Sequence, residues 1–228
     1  MSAFHKFPRT PHVVWLCEKS PRDDKVLDTL EAEEFLRRPV VVEEKVDGAN
    51  IGITFDANGT PIVWNRGTLL KGGAQPQFEP LWNWLGTHRQ KLASSLEERL
   101  ILFGEWCFAV HSVQYDHLPD WFLAFDVYEN AAERFWSSER RNTLVRSLGL
   151  FSVAALGPGK YNLAQLKSLL RNTQSQYGKA PIEGLYLRSE TDGWLLKRAK
   201  LVRPEFAQSI DEHWTSHQLI RNAVAEAK

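Results

Sequence analysis

Alternating apolar and polar residues predict several β-strands in this chain. Three valines and two glutamates at residues 40–44 predict a strand after Pro39, and Ile51, Ile53 and Phe55 alternate with small or polar residues. Turn-forming residues at 56–59 then lead into a second apolar run at 61–64, a pattern typical of a β-hairpin. Further apolar runs predict strands over residues 100–106, 121–128, 182–188 and 194–202.

Apolar residues three and four positions apart predict helices between these strands. Leu81, Leu85 and Leu92 share one face over residues 78–96, and Asn162 is a good N-cap for a short helix over 162–170. We also predict helices over 28–38, from Ser137 or Ser138 to about residue 148, and over 205–226, whereas residues 1–25 read as irregular. The order of elements predicts an α+β fold of mainly antiparallel sheets flanked by helices.

Composition places the chain among ordinary globular proteins. Its 228 residues, with a mass of 26.2 kDa, correspond to one large domain or to one domain with a small appendage. The 28 basic and 28 acidic residues cancel, which argues against attachment to nucleic acid or membrane by the overall field. Any polyanionic partner must therefore contact a local basic patch.

Cysteine content and hydropathy predict the cellular setting. Cys17 and Cys107 form no CxxC pair, and two cysteines are too few for a disulfide scaffold or a thiolate zinc site. No stretch approaches 18 apolar residues, and the first residues lack the apolar core of a secretory signal. We expect a protein of the reducing cytoplasm that has no membrane partner.

The sharpest local motif is the sequence Lys-Val-Asp-Gly-Ala-Asn at residues 45–50. A lysine that ends a β-rich run can act as a nucleophile, and the glycine after Asp47 lets the backbone turn closely. The same residues would also suit a solvated hairpin turn. The motif alone leaves both interpretations open.

Further motifs follow this lysine in a fixed order, on or beside predicted strands. They are NRG at 65–67, FGEW at 103–106, FDVY at 125–128, EGLYLR at 183–188 and LKRAK at 196–200. The series resembles the covalent nucleotidyltransferases, the superfamily of ATP-dependent polynucleotide ligases and mRNA capping enzymes. Within it, the chain is most similar to RNA ligases typified by a phage enzyme that seals nicks in duplex RNA.

The resemblance covers residues 40–203. Asn50 is a feature of the RNA-ligase branch, whereas Asp47 stands where that branch often has histidine. The implied fold is a nucleotidyltransferase domain, an ATP-grasp-like ligase adenylation domain, at residues 1–204. The 28 residues after Lys200 are too few for an OB-fold, so a helical tail at 205–228 is expected instead.

The resemblance implies that Lys45 attacks the α-phosphate of ATP and forms a lysyl-AMP phosphoramidate. Only a neutral amine can attack, and a lysine with a pKa of about 10.4 is about 0.1% neutral near neutral pH. We therefore expect burial and neighbouring cations to lower the pKa of Lys45. The candidate cations are Arg66, Lys197, Arg198 and Lys200.

Fixed cations should also stabilise the charge on the phosphoryl oxygens. The family pattern is Lys-x-Lys, but two residues separate Lys197 from Lys200 here. Either Arg198 replaces the first lysine of the pair, or Lys197 reaches the phosphate through a bulge. A basic edge strand kept soluble by its charge is the alternative to both.

The resemblance implies roles for the other motif residues, each with a structural alternative. Phe125 would stack on adenine or pack in the core, and Glu105 would bind a ribose hydroxyl or pair with an arginine. Glu183 would hold Mg²⁺ or Mn²⁺ through waters, with Asp126 a weaker candidate ligand, or would form a structural ion pair. The expected ATP-binding residues are Glu44, Lys45, Asn50, Arg66, Glu105, Phe125, Glu183, Lys197 and Lys200, and the expected catalytic residues are Lys45, Asp47, Lys197 and Lys200.

We therefore expect an ATP-dependent RNA ligase that joins 3′-hydroxyl and 5′-phosphate ends in RNA repair, with a possible end-healing partner. The alternatives are a minimal DNA ligase or other nucleotidyltransferase, and a non-catalytic RNA-binding subunit. His213 and His217 have the spacing of zinc ligands on a helix but lack an obvious further ligand. Candidate RNA contacts are Arg134, Arg140, Arg141 and Arg146, or Arg188, Lys197, Arg198 and Arg203, with a solvated helix face and a strand edge as the respective structural alternatives.

Overall fold

A computed structural model describes residues 5–18, 24–73, 75–208 and 219–225 of the protein. The helices are α1 (Thr29–Leu36), α2 (Glu79–Leu96), α3 (Ser138–Ser147), α4 (Leu163–Asn172) and α5 (Pro204–Gln208), and a 3₁₀ turn at Pro76–Phe78 precedes α2. The strands are β1 (Val40–Lys45), β2 (Ala49–Phe55), β3 (Pro61–Asn65), β4 (Thr68–Leu69), β5 (Leu100–Trp106), β6 (Phe122–Glu129), β7 (Arg134–Phe135), β8 (Phe151–Ser152), β9 (Ala155–Gly159), β10 (Gly184–Thr191) and β11 (Trp194–Val202). The α+β prediction is confirmed.

The strands form two sheets, and the turn between β1 and β2 connects one sheet to the other. The first sheet has the order β11-β10-β1-β9, and the second has the order β4-β3-β2-β5-β6-β7. All pairs along these orders are antiparallel, and β8 adds to β6 in parallel. The turn at residues 46–48 therefore stands where the two sheets meet.

Local sequence signals account for the helix starts. Asp28 and Glu31 form a capping box on α1, and Asn162 and Gln165 form another on α4. Ser137 accepts a hydrogen bond from the backbone of Arg140 and so caps α3, as its sequence position predicts. These side chains satisfy backbone N–H groups that the first helical turn leaves without partners.

Each sheet buries one face under helices. The first sheet packs Val42, Leu185 and Leu201 against α1 and α4, and the second packs Ile53, Leu102 and Val127 against α2 and α3. Strand alternation then directs the intervening side chains of both sheets to the opposite faces. Most of the polar motif residues lie on those opposite faces.

A buried network of charges joins the two sheets. The guanidinium of Arg141 donates to the Glu43 carboxylate, and that of Arg188 donates to Asp126 at 2.8 Å. Both arginines also donate to the carbonyl oxygen of Phe125. All four charged side chains are at most 1% exposed, so each charge depends on its partner for stabilisation.

Both ends of the described chain return to the body of the fold. Backbone hydrogen bonds join Lys200 to Pro11 and Val13, so residues 11–13 cover the edge of β11. The side chain of Asn222, which is 5% exposed, donates to the carbonyls of Cys107 and Ala109. The helix predicted over 205–226 is wrong over residues 219–225, because these residues bridge to the 107–118 loop.

The remaining sequence-based expectations have mixed outcomes. Helix α5 ends at Gln208, and the rest of the span up to residue 218 lies outside the described residues, as do His213 and His217. The domain boundary at residue 204 stays a prediction. Within the described ranges, no helix is long and apolar enough to cross a membrane.

The buried network generates a stability prediction. Glu43→Ala would leave the Arg141 guanidinium buried without its charge partner, and we expect a loss of about 3–5 kcal/mol in the free energy of unfolding, measured by urea denaturation. Glu34→Ala is the matched control, because Glu34 pairs with Arg37 in solvent and should change stability by less than about 1 kcal/mol. Equal losses in the two variants would contradict a structural role for the network.

Candidate active site

The pairing of β1 with β10 brings Lys45 to Glu183. Lys45, the last residue of β1, lies opposite Gly184, the first residue of β10. The Lys45 ammonium donates hydrogen bonds to both carboxylate oxygens of Glu183, at 2.7 and 2.6 Å. The two residues are 138 positions apart in sequence, so only the sheet brings them together.

Three carboxylates surround the Lys45 ammonium. Burial raises the pKa of Glu105 to about 8 and that of Glu183 to about 7, although the charge of Lys45 opposes both shifts. Asp47 raises the pKa of both groups further through its own negative charge. The site therefore holds more potential negative charge than one ammonium can balance.

The pKa of Lys45 contradicts the sequence-based expectation. Burial by itself would lower this pKa, but the charges of Glu183, Glu105 and Asp47 outweigh burial and raise it. The expectation of a lowered pKa assumed that cations would be the nearest neighbours of the amine. In this structure the nearest charges are carboxylates, and they stabilise the ammonium form.

The 112–115 segment of the loop after β5 fixes Asp47. Backbone N–H groups of Ser112 and Val113 donate to one Asp47 carboxylate oxygen, and the Asp47 N–H donates to the Tyr115 hydroxyl. Next to it, a Cβ atom at Gly48 would lie 2.7 Å from the carbonyl oxygen of Trp106. A glycine is needed there because β5 approaches the turn too closely for a side chain.

Asn50 and Glu105 form a cross-strand pair between β2 and β5. The side-chain oxygen of Asn50 is buried and has no hydrogen-bond partner among the described residues. Buried polar atoms are rarely left without a partner, so this oxygen marks a place where a ligand donor would fit. Arg66 is exposed at the β3–β4 turn, and its charge lowers the pKa of Glu105.

Lys200 reaches the site from β11 and contacts a residue that sequence analysis missed. Its ammonium donates to Asp24 at 2.7 Å, and His12 lies 3.5 Å from the same carboxylate oxygen. Burial, followed by the charge of Lys200, lowers the pKa of His12 to about 4, so His12 is neutral near pH 7. Asp24 and His12 come from a segment without regular structure, so no periodic pattern could have identified them.

The structure separates Arg198 and Lys197. Arg198 and Lys200 lie two residues apart on β11 and share the face opposite Ala199, which is buried against the helices. Lys197 is exposed beside a register shift in the β10–β11 pair. Arg198 therefore points to the same face as Lys200, as expected of the first basic residue of the motif. The structure does not bring Lys197 to the carboxylate cluster.

Asp126 is not available as a metal ligand. One of its carboxylate oxygens accepts from Arg188 and the other accepts from Arg198 at 2.7 Å, while the side chain is fully buried. This contradicts the expectation for Asp126, which instead forms ion pairs with both arginines. Sequence alone could not show that two arginines, 62 and 72 positions away, would meet Asp126.

Two other ATP-binding candidates have structural contacts. The Glu44 carboxylate faces away from Lys45 and accepts from the Ser175 hydroxyl and the Gln176 N–H, which contradicts its assignment by sequence. The Phe125 ring packs edge-on against Phe7, with ring centroids 5.2 Å apart. This contact fits the core-packing alternative for Phe125, and stacking on adenine stays a prediction.

The cluster suits a divalent cation bound mainly through water. Within the described residues, no three or more His, Cys, Asp or Glu side chains are arranged so that they could hold a metal ion by themselves, so a closed protein cage is absent from that part of the chain. Glu183 is nevertheless buried beside the half-buried carboxylates of Glu105 and Asp47, and Mg²⁺ is commonly held by one or two carboxylates plus waters. The donor set therefore fits Mg²⁺ or Mn²⁺ at Glu183.

Comparisons with known proteins agree with this geometry. A family model described as RNA ligase matches residues 38–202. A mutant Naegleria gruberi RNA ligase with ATP and Mn has a TM-score of 0.61 and 19% identity, over 78% of this chain and 52% of that chain. The same ligase with PPi gives a TM-score of 0.59 and 19% identity, over 76% and 52%.

A third structure of that ligase, a mutant with AMP and Mn, has a TM-score of 0.58 and 19% identity, over 78% of this chain and 53% of that chain. These values establish a shared nucleotidyltransferase-like fold, and the chain spans about half the length of these ligases. A comparison with curated proteins gives no significant match.

The carboxylate cluster generates a prediction about Lys45. Glu183→Gln removes the largest influence that raises the Lys45 pKa, while burial continues to lower it. In this variant we expect the pH at which acetic anhydride modifies Lys45 to fall by roughly one unit or more. The measurement is a pH series followed by mass spectrometry. Glu139→Gln, at an exposed position of α3, should leave the profile unchanged, and an unshifted profile in Glu183→Gln would contradict the electrostatic assignment.

Proposed function

The chain belongs to the RNA ligase family, and we propose that it uses ATP to join RNA 3′-hydroxyl and 5′-phosphate ends through Lys45. One observation carries this proposal: the sheet places the Lys45 amine in direct contact with Glu183 and among the charges of Glu105 and Asp47. These are the residues that the ordered motifs single out. The fold holds them together from three separate parts of the chain.

In the first step, the Lys45 nitrogen attacks the α-phosphorus of ATP. A nitrogen–phosphorus bond forms, the bond from the α-phosphorus to the bridging oxygen breaks, and pyrophosphate leaves. The amine must first lose a proton, and the Glu183 carboxylate that accepts its hydrogen bonds is the nearest acceptor. The proton can pass through Glu183 to solvent before a divalent cation occupies this carboxylate.

The remaining residues of the site have roles that follow from their positions. Glu105 lies across from Asn50 and is placed to accept a hydrogen bond from a ribose hydroxyl. Lys200 can exchange Asp24 for a phosphate oxygen, since both are anionic partners for its ammonium. A divalent cation at Glu183 would neutralise carboxylate and phosphate charge and so favour the reactive neutral amine.

In the second and third steps, AMP passes to an RNA end and is then displaced. A 5′-phosphate oxygen attacks the phosphorus of lysyl-AMP and releases Lys45, which takes back a proton. A 3′-hydroxyl then attacks the 5′-phosphorus of the RNA-adenylate, forms the phosphodiester and releases AMP. Asp47 lies in the turn between β1 and β2, and Asn50 lies at the start of β2. Both can orient the incoming RNA end.

We place this reaction in cytoplasmic RNA repair, with a nicked duplex of the kind sealed by the phage branch as the first substrate to test. Cys17 and Cys107 are both free thiols, which suits a reducing compartment. An end-healing enzyme would supply 5′-phosphate and 3′-hydroxyl ends where breaks lack them. A minimal DNA ligase, a guanylyltransferase and a non-catalytic RNA-binding subunit are the alternatives that the experiments must separate.

Lys45→Ala should abolish the covalent step, because the variant lacks the nitrogen that receives AMP. Incubation with α-labelled ATP and Mg²⁺ should label the wild-type protein and the exposed control variant Lys71→Ala, but leave Lys45→Ala at background. The Lys45→Ala protein should still seal a pre-adenylated RNA strand, which shows that it is folded. Equal labelling of all three proteins would overturn the assignment of the nucleophile.

The substrate class is tested with nicked RNA and nicked DNA duplexes of the same sequence, and with ATP and GTP as nucleotide donors. We expect RNA sealing with ATP to exceed DNA sealing by at least about tenfold, a difference of about 1.4 kcal/mol in activation free energy. Preferential labelling by GTP would instead favour a guanylyltransferase. Sealing of DNA at the higher rate would favour a DNA ligase.

A further inference from the structure

The N-terminal part of the described chain runs past several motifs of the proposed nucleotide site. A Cβ atom at Gly67, in the NRG motif, would lie 3.4 Å from Cε of Lys6. The hydroxyl oxygens of Thr10 and of Tyr186, in the EGLYLR motif, are 3.2 Å apart. We call residues 5–13 the strap, because they reach from the second sheet to the first across the motif residues.

The two halves of the strap are held in different ways. Residues 11–13 are fixed by backbone hydrogen bonds, among them those that join Pro11 and Val13 to Lys200 on β11. Phe7 and Thr10 instead contact the motifs through their side chains. The first half of the strap can therefore withdraw from the motifs while the second half stays paired, and no strand has to separate.

Phe7 has the surroundings that a purine base would have in this site. Its ring centroid lies 5.2 Å from that of Phe125, with an angle of 75° between the ring planes, and 5.0 Å from that of Phe103. The guanidinium carbon of Arg198 lies 4.8 Å from the centre of the Phe7 ring. Aromatic rings and an arginine are also the groups on which nucleic-acid bases stack.

Stacking of a base on Phe125 requires one of its present neighbours to move. Phe125 packs against two apolar clusters: one includes Val46 and Leu123, and the other includes Phe103, with Phe7 packed against it. Leu123 and Phe103 lie on β6 and β5, so their withdrawal would open a sheet. Phe7 is the neighbour that can give way, because it lies on the strap.

We propose that the strap holds the nucleotide site closed and that Phe7 occupies the position of the base until ATP displaces it; this inference rests on the proposed function. When only a fraction of the molecules is open, the apparent Kd equals the intrinsic Kd divided by that fraction. The strap therefore lowers the affinity for ATP and takes no part in the chemistry at Lys45.

The first test is the Kd for α-labelled ATP with Mg²⁺, measured by equilibrium dialysis on the full chain carrying Lys45→Ala, so that no covalent bond forms. Adding Phe7→Ala should lower the Kd by about three- to tenfold, because the open fraction rises. Adding Thr10→Val instead removes the hydrogen bond to Tyr186 and should also lower the Kd. Phe151→Ala, at an exposed position of β8, is the matched control and should leave the Kd unchanged.

The second test is cleavage by trypsin after Lys6 and Arg9, which are both exposed on the strap. In the Lys45→Ala protein, ATP with Mg²⁺ should speed cleavage of these two bonds several fold, because a displaced strap is open to the protease. Cleavage after Lys179, exposed in the loop that follows α4, is the internal control and should keep its rate in mass spectrometry. Slower cleavage of the strap with ATP would mean that the strap closes over the nucleotide, and would overturn the proposal.

The outcomes separate this proposal from the proposed function. Tighter ATP binding in Phe7→Ala, together with faster cleavage of the strap with ATP, supports the strap. An unchanged or higher Kd in Phe7→Ala, or an equal fall in Phe151→Ala, overturns it even where the wild-type protein takes label from ATP. If Phe7→Ala binds ATP more tightly but the wild-type protein takes no label, the ligase function fails and the strap assignment stands.

Discussion

The balance between one half-buried ammonium and several carboxylates is the constraint on which this site depends. Glu183 stabilises the half-buried ammonium of Lys45, and the charge of Lys45 lowers the pKa of Glu183 against the effect of burial. The register of β1 with β10, the close approach at Gly48 and the loop hydrogen bonds to Asp47 all serve to hold these groups at fixed distances. The resting site is therefore stable with a protonated, unreactive amine, and reaction requires a ligand that changes the local charge.

The cations of the protein divide into two classes according to how completely they are neutralised. Arg141 and Arg188 have carboxylate and carbonyl partners on several sides and join the two sheets. Lys200 has one acidic partner at the edge of the site, and Arg134 has an aromatic face and open solvent. Cations of the first class cannot leave their partners without a large desolvation cost, so only those of the second class can exchange partners for phosphate.

Sequence reasoning succeeded where the determinants are local. The longer strands β1, β2, β3, β5, β6, β10 and β11 and the caps at Ser137 and Asn162 were predicted because periodicity and turn chemistry act over short distances. The short strands β4, β7 and β8 and the strand β9 were not predicted, and the roles of Lys45, Glu105 and Glu183 stay predictions. Sequence reasoning failed for Asp126 and Glu44, whose partners are distant in sequence, and for the direction of the Lys45 pKa shift. Asp24 carries no local signal because its contact with Lys200 spans 176 positions.

The last described residues have a practical meaning for anyone trimming the protein. Asn222 bonds to the backbone of Cys107, Ala109 and Tyr115, and the Tyr115 hydroxyl receives the N–H of Asp47. Ending the polypeptide at residue 204 would remove Asn222 and these hydrogen bonds, although it would leave every motif intact. A minimal fragment chosen from motif boundaries alone would therefore lose the support of the loop that aligns Asp47, and a purification tag is better fused beyond residue 225 than in place of this segment.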